Sequence, residues 1–273
     1  MDSFYEIILA EYSIKMILNY KGAEVFYSVF GSGDPVLLIH GFLENSSMWN
    51  ALIPKLSKTN QIIVVDLLGH GKTHCIGYIH SITDFSEAIE AVLQKLNIPT
   101  CQIIGHSLGG YVALAIAKRN NINVKGLCLL NSTTKNDDVS RKLLRTRAVK
   151  NAKKFYESLV SMSISNLFYE ENRQRFENEI EAIKTEALKT PIQGYIAAQE
   201  GMMQRPDSTE FFKQSIFKKV IIAGIKDSVI NFEELKQIAN NTNAQFYALN
   251  GGHMSHVEAL EDLEKVLSDF VIN

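Results

Sequence analysis

Short runs of almost unbroken aliphatic residues, VLLI at 36–39, IIVV at 62–65 and LCLL at 127–130, constrain this 273-residue chain more than any other feature. A strand with one face in water alternates apolar and polar side chains. A strand without alternation needs cover on both faces, as in a parallel sheet held between two layers of helices. Related runs extend the series to eight: Ile14–Tyr20, Glu24–Phe30, Val36–His40, Gln61–Asp66, Cys101–Gly105, Val124–Asn131, Lys219–Gly224 and Ala244–Leu249. The first two alternate more than the rest, which predicts an antiparallel hairpin at one edge.

Amphipathic stretches separate these runs. Over Asp84–Asn97 the residues Phe85, Ile89, Val92, Leu93 and Leu96 fall on one helical face, and Pro99 ends the segment. At the C-terminus Val257, Leu260, Leu263, Leu267 and Phe270 share a face. Strand–helix alternation of this kind predicts a three-layer α/β domain with a mostly parallel eight-stranded sheet and helices on both faces. Between Thr134 and Phe212 the rhythm stops. Charged helical segments follow one another there without a strand. Connections in compact α/β domains usually take about 2–6 residues, so residues 134–212 are expected to form an inserted helical cap over a pocket. Residues 1–133 and 213–273 then make the core.

Composition narrows the function class. The charged fraction is 21% and the net charge −2, so no electrostatic case exists for nucleic acid or an anionic membrane surface. No run of eighteen apolar residues predicts a membrane span. The first twenty residues, interrupted by Glu6, Glu11 and Lys15, do not read as a signal peptide; Met16 is an alternative start that leaves 1–15 as an extension. Cys75, Cys101 and Cys128 are scattered, with no spacing for a disulfide framework or a zinc site. Free thiols, no metal, no cofactor and a cytoplasmic location are expected. The oligomeric state is not legible.

The sharpest chemical signal is Gly105-His106-Ser107-Leu108-Gly109, with an apolar run before it and an amphipathic segment after it. A serine on a cramped strand-to-helix turn needs glycines two residues to either side, because a Cβ there would collide. The turn sets the serine at a helix N-terminus, where the N–H of Leu108 is free and the helix dipole favours developing negative charge.

This segment resembles the nucleophile elbow of the α/β-hydrolase superfamily. Three more motifs occur in matching order. His40-Gly41-Phe42 resembles the oxyanion loop. The segment from Asp66 through Gly69-His70-Gly71 to Thr73 resembles the D-x-x-G-H-G-x-S motif, with threonine in place of the usual serine. Gly251-Gly252-His253-Met254 resembles the loop that carries the histidine base. The resemblance implies the α/β-hydrolase fold, places the base at His253 and has Asp66 hold the GHG turn. The end of the insertion, around Met202 and Met203, resembles small carboxylesterases and enol-lactonases.

A serine hydroxyl becomes an effective nucleophile when a neighbouring base accepts its proton. Of the seven histidines, His40 and His106 lie at strand ends within motifs and His70 in the GHG turn, while His74 and His80 have no motif around them. His253 and His256 remain, and the two glycines before His253 free its backbone to swing the ring toward the elbow. His256 is expected to cap or pack. The carboxylate that orients the base is expected from Asp227, just beyond the run Lys219–Gly224, giving the order serine, aspartate, histidine. Asp137 and Asp138, beyond Asn131, are alternatives. The oxyanion donors are expected to be the backbone N–H groups of Phe42 and Leu108, and the substrate-binding residues Phe42, His106 and Met202. Trp49 is expected to pack against the sheet.

These residues point to a serine hydrolase acting on a small or medium carboxylic ester or lactone through an acyl-enzyme. Thioester or C–C hydrolysis, peroxidation and lyase chemistry remain open within the same resemblance. So does a receptor-like protein that keeps the fold without catalysis.

Overall fold

The computed structural model describes residues 14–272; most of the stretch before Met16 lies outside the described residues. All eight expected strands form: β1 (Ile14–Tyr20), β2 (Ala23–Phe30), β3 (Asp34–Ile39), β4 (Asn60–Val65), β5 (Thr100–His106), β6 (Asn123–Leu130), β7 (Lys218–Gly224) and β8 (Gln245–Leu249). They form one sheet in the order β1-β2-β4-β3-β5-β6-β7-β8. The pairs β1/β2 and β2/β4 are antiparallel and the others parallel. The alternating first two strands thus form the edge hairpin.

Unbroken apolar runs divide residue by residue between two cores. Leu37, Ile39, Ile63 and Val65 face one side of the sheet. Val36, Leu38, Ile62 and Val64 face the other. Burying each such side chain is worth about 1.5–3 kcal/mol, so neither face of a central strand tolerates a polar residue cheaply.

Among the described residues the α-helices of six or more residues are α1 (Ile82–Lys95), α2 (Leu108–Arg119), α3 (Val139–Leu167), α4 (Glu177–Ala187), α5 (Ile192–Met203), α6 (Thr209–Gln214), α7 (Phe232–Thr242) and α8 (Leu260–Ile272). Phe85, Ile89, Val92 and Leu93 of α1, with residues of α2 and α7, cover the first face. Trp49, Leu263, Leu267 and Phe270 cover the second.

Two helix boundaries differ from expectation, one through a side-chain cap and one through a backbone break. Helix α1 begins at Ile82, because Ser81 and Asp84 form a reciprocal capping box. The last amphipathic stretch breaks at Ala259 (φ −140°) into a single turn, Ser255–Glu258, and α8. Val257 accordingly packs against a different cluster from Leu263. The break leaves the Glu258 carboxylate free to accept from the N–H groups of Gly252 and Tyr169.

Between β6 and β7 the described residues hold helices α3 to α6 and no strand. Helix α3 bends at Phe155, whose φ/ψ of −136°/41° leaves the helical region. Val160, Ile164, Phe168, Ile180 and Tyr195 pack together with Leu43 and Met254 from loops after β3 and β8. Helix α5 lies against the segment joining β4 to α1, where its glycines admit backbone contact. A Cβ on Gly194 would sit 2.2 Å from the Gly69 carbonyl, and one on Gly201 1.7 Å from that of His80. No helix among the described residues is long and apolar enough to cross a membrane.

Candidate active site

Ser107 joins β5 to α2 with φ 50° and ψ −114°, a region that costs a non-glycine residue about 1–3 kcal/mol. Neighbouring hydrogen bonds hold it there. Its N–H donates to the Leu130 carbonyl (3.0 Å), and its own carbonyl accepts from Gly110 N (3.0 Å) and Ser132 Oγ (2.7 Å). The flanking glycines are steric requirements: a Cβ on Gly105 would meet the Gly109 carbonyl at 2.4 Å, and one on Gly109 the Ile39 carbonyl at 2.2 Å.

The loops after β7 and β8 bring Asp227 and His253 together. His253 Nδ1 lies 2.8 Å from Asp227 Oδ2. A carboxylate accepts only, so Nδ1 is the donor of this pair. Asp227 Oδ1 accepts from the N–H groups of Val229 (2.7 Å) and Ile230 (3.0 Å), and Oδ2 also accepts from Asn131 Nδ2 (3.0 Å). Burial pushes the Asp227 carboxyl up. The His253 ring and these donors outweigh that and hold it below the usual carboxylate range. The His253 N–H donates to the carbonyl of Leu167, the last residue of α3 (2.9 Å), so the insertion anchors this loop.

A second buried histidine–carboxylate pair lies beside the first. His106 Nε2 faces the His253 carbonyl at 3.0 Å and His106 Nδ1 faces Glu44 Oε2 at 2.8 Å. Both partners are acceptors, which assigns a proton to each ring nitrogen and makes the ring an imidazolium. Burial alone would lower the His106 pKa, but the Glu44 charge and hydrogen bond raise it. Burial would raise Glu44, yet the His106 charge and hydrogen bond bring it down to about 2. Glu44 Oε2 also accepts from Gly41 N (2.5 Å). One carboxylate thereby ties the loop after β3 to the elbow and, through His106, to the His253 backbone. His256 approaches the same carboxylate: suitable donor atoms of Glu44, His106 and His256 lie within 4.8 Å of one another.

Ser107 and His253 line a common cavity of about 100 Å³ with Phe42, His106, Tyr111 and Met202. Its roof comes from both arms of the bent α3: Arg141 and Arg145 before Phe155, and Ser163, Ile164 and Leu167 after it. Phe42 packs on Tyr195 with ring centroids 5.0 Å apart. Leu108 is the first residue of α2, so its N–H has no acceptor in a preceding turn. His106 walls the cavity with both ring nitrogens already engaged.

The remaining candidates lie elsewhere. Asp137 pairs with Arg145 (2.6 Å) and Arg205 (2.8 Å), and Asp138 caps α3 through Arg141 N (2.7 Å). Asp66 accepts from Ser46 N and Lys72 N, bracing the GHG turn. His40 Nε2 accepts from Leu67 N, His70 and His80 are buried, and Trp49 is core. Sequence reasoning missed Glu44, Glu258 and the supporting role of Asn131. Glu44 stands in no recognisable pattern, and its partner His106 lies 62 residues away. Asn131 was legible only as an uncharged residue at a strand end.

The profile of the alpha/beta hydrolase fold family matches residues 34–260. A thermophilic esterase from Thermogutta terrifontis superimposes with a TM-score of 0.87 at 25% identity, covering 94% of this chain and 97% of that one. The enol-lactonase from Burkholderia xenovorans LB400 gives 0.87 at 20% identity, covering 94% and 100%. An uncharacterized protein of Mycobacterium tuberculosis is 38% identical over 91 residues, which are 33% of this chain and 27% of that protein, so the match spans little more than a quarter of that relative. With the profile spanning most of the sequence and the eight-stranded sheet in place, the chain belongs to the α/β-hydrolase fold family.

Proposed function

We propose that this protein is a serine hydrolase that cleaves a small carboxylic ester or lactone through an acyl-enzyme. The observation that carries the reading is the pairing of His253 with Asp227 beside Ser107. Asp227 Oδ2 lies 2.8 Å from Nδ1, and the same ring borders the cavity of Ser107, which leaves Nε2 to serve as the base. Ser107 Oγ attacks the carbonyl carbon while its proton passes to His253 Nε2. The oxyanion accepts from the N–H groups of Phe42 and Leu108, each such donor being worth roughly 10²–10³ in rate. Collapse of the tetrahedral intermediate breaks the bond to the alcohol oxygen, which takes the proton from His253. Water then attacks the acyl-enzyme, gives its proton to His253 and releases the acid, and the proton returns to Ser107.

Helices α3 and α5, which supply Arg141, Arg145, Ser163, Ile164, Leu167 and Met202 to the cavity wall, act in this scheme as a cap. They close the cavity, exclude bulk water and strengthen every polar interaction inside. The esterase and enol-lactonase likenesses favour oxygen esters as the substrate class.

The test is turnover of a panel of methyl and p-nitrophenyl esters and small lactones, with and without a fluorophosphonate. Steady turnover that stops as the phosphonate labels Ser107 is expected. A folded protein that neither turns over any of the panel nor takes the label at Ser107 overturns the reading.

A further inference from the structure

The roof of the cavity is positively charged out of proportion to its counter-ions. Arg141 and Arg145 both border the space that holds Ser107. Arg205 lies directly behind, its guanidinium 4.0 Å from the centroid of the Tyr111 ring, which also borders that space. One carboxylate serves this group. Asp137 takes Arg145 on Oδ2 at 2.6 Å and Arg205 on Oδ1 at 2.8 Å, and is itself almost fully buried. Among the described residues no carboxylate lies within ion-pair distance of Arg141, whose Nη1 donates to the Val229 carbonyl (3.0 Å). The other carboxylates nearby are committed: Glu44 to His106, and Asp227 to His253 and Asn131. Three guanidinium groups therefore stand beside the candidate nucleophile with a single buried anion, which pairs only two of them.

Arg141 and Arg145 are half-buried, and such an excess of charge is costly there unless an anion completes it. A guanidinium presents five N–H donors in a planar fork suited to a carboxylate. The bond to Val229 uses one donor of Arg141. We propose that the substrate carries a carboxylate in addition to the scissile ester or lactone, and that Arg141 is the residue that binds it. This rests on the serine-hydrolase reading and adds the substrate class to it. The first arm of α3 sets the placement. Asp138 caps the helix at Arg141 N, fixing that turn over the cavity, while Arg145, one turn on, is held back by Asp137 and by Gln199 Oε1 (2.9 Å). Arg141 is thus the guanidinium left to meet the ligand.

The experiment compares esters that differ only in replacing a carboxylate by an isopropyl group of similar shape. Methyl hydrogen glutarate is set against methyl 5-methylhexanoate, and 3-acetoxypropanoate against isopentyl acetate. The first pair puts the charge on the acyl half, the second on the alcohol half. A charge-assisted contact predicts a kcat/KM preference of about 10- to 100-fold for the anionic member of one pair. The preference is expected to fall about tenfold in Arg141→Met and to be partly kept in Arg141→Lys. Glutarate is expected to slow labelling of Ser107 by a neutral fluorophosphonate, and to lose that protection in Arg141→Met.

Equal turnover of both members of both pairs, or a preference unchanged in Arg141→Met, overturns the proposal while leaving the hydrolase reading intact. Labelling of Ser107 that glutarate does not slow, with none of the four esters turned over, does the same. Absence of both labelling and turnover removes the hydrolase reading and this proposal with it.

Discussion

Asn131 Nδ2 lies 3.0 Å from Asp227 Oδ2, the oxygen that also faces His253 Nδ1 at 2.8 Å. Asn131 follows β6 directly in the left-handed region (φ 44°), a conformation asparagine tolerates better than most residues. Its amide favours the charged form of Asp227 and fixes that oxygen's direction. Asn131→Ala is expected to lower kcat about tenfold, the scale of one hydrogen bond to a charged group. The acid limb of the rate profile should also move to higher pH, because Asp227 loses one of the donors that hold its carboxyl below the usual range. A profile and kcat equal to those of the parent would show that Asn131 does not position Asp227.

Ser107 allows strain and chemistry to be separated. Ser107→Ala and Ser107→Gly should each reduce ester turnover by roughly 10⁴-fold or more. Glycine tolerates the positive φ of 50° without the penalty that alanine meets. Ser107→Gly should therefore be more stable than Ser107→Ala by about 1 kcal/mol in urea denaturation. Equal stabilities would mean that the elbow is not strained.

The Glu44–His106 pair should matter to stability as well as geometry. Both side chains are almost wholly buried, and removing one charge of such a pair strands the other. Glu44→Gln is expected to cost about 3 kcal/mol and to lower turnover, since the Gly41 N–H and the His253 carbonyl both depend on this link. A change in unfolding free energy below about 0.5 kcal/mol would refute the ion-pair assignment.

Stability should fall as pH is lowered from 7 to 5. Burial holds His40, His70, His80 and His256 below the usual imidazole value, His70 at about 3 and His256 at about 4. Between these values and the unfolded value near 6.5, the unfolded chain binds more protons at these sites than the folded one. Each net proton then removes about 1.4 kcal/mol per pH unit on acidification. His106, raised by Glu44, acts in the opposite sense, contributing most below pH 6.5 and losing its contribution as pH rises through its folded value. Four groups oppose one, so thermal melts should show a lower Tm at pH 5 than at pH 7. A flat or rising Tm would contradict this balance. The lowered carboxyls of Glu44, Asp137 and Asp227 lose their contribution only at still lower pH.

The strands, their two-sided burial and the strand-to-helix turn at Ser107 were legible because each depends on local pattern. Unbroken apolar runs demand cover on both faces, and glycines at 105 and 109 are needed wherever a serine takes that turn. His253 and Asp227 were legible for a related reason: they follow strands, and the ends of parallel strands converge at one edge of the sheet. The helical insertion was visible as a gap in strand rhythm, although its bend at Phe155 was not.

Pairings between distant side chains were decided by the tertiary structure alone. Nothing around Glu44 distinguishes it from a solvated loop carboxylate until the fold sets it against His106. Arg141 and Arg145 look like two cations of an exposed helix until α3 is laid across the Ser107 cavity, with Asp137 turned to one and not the other. Local sequence dictates backbone conformation and which faces must be buried. Charge neutralisation and hydrogen-bond partners depend on separations of a few ångströms between residues far apart in the chain, and those distances exist only once the sheet and the insertion have packed.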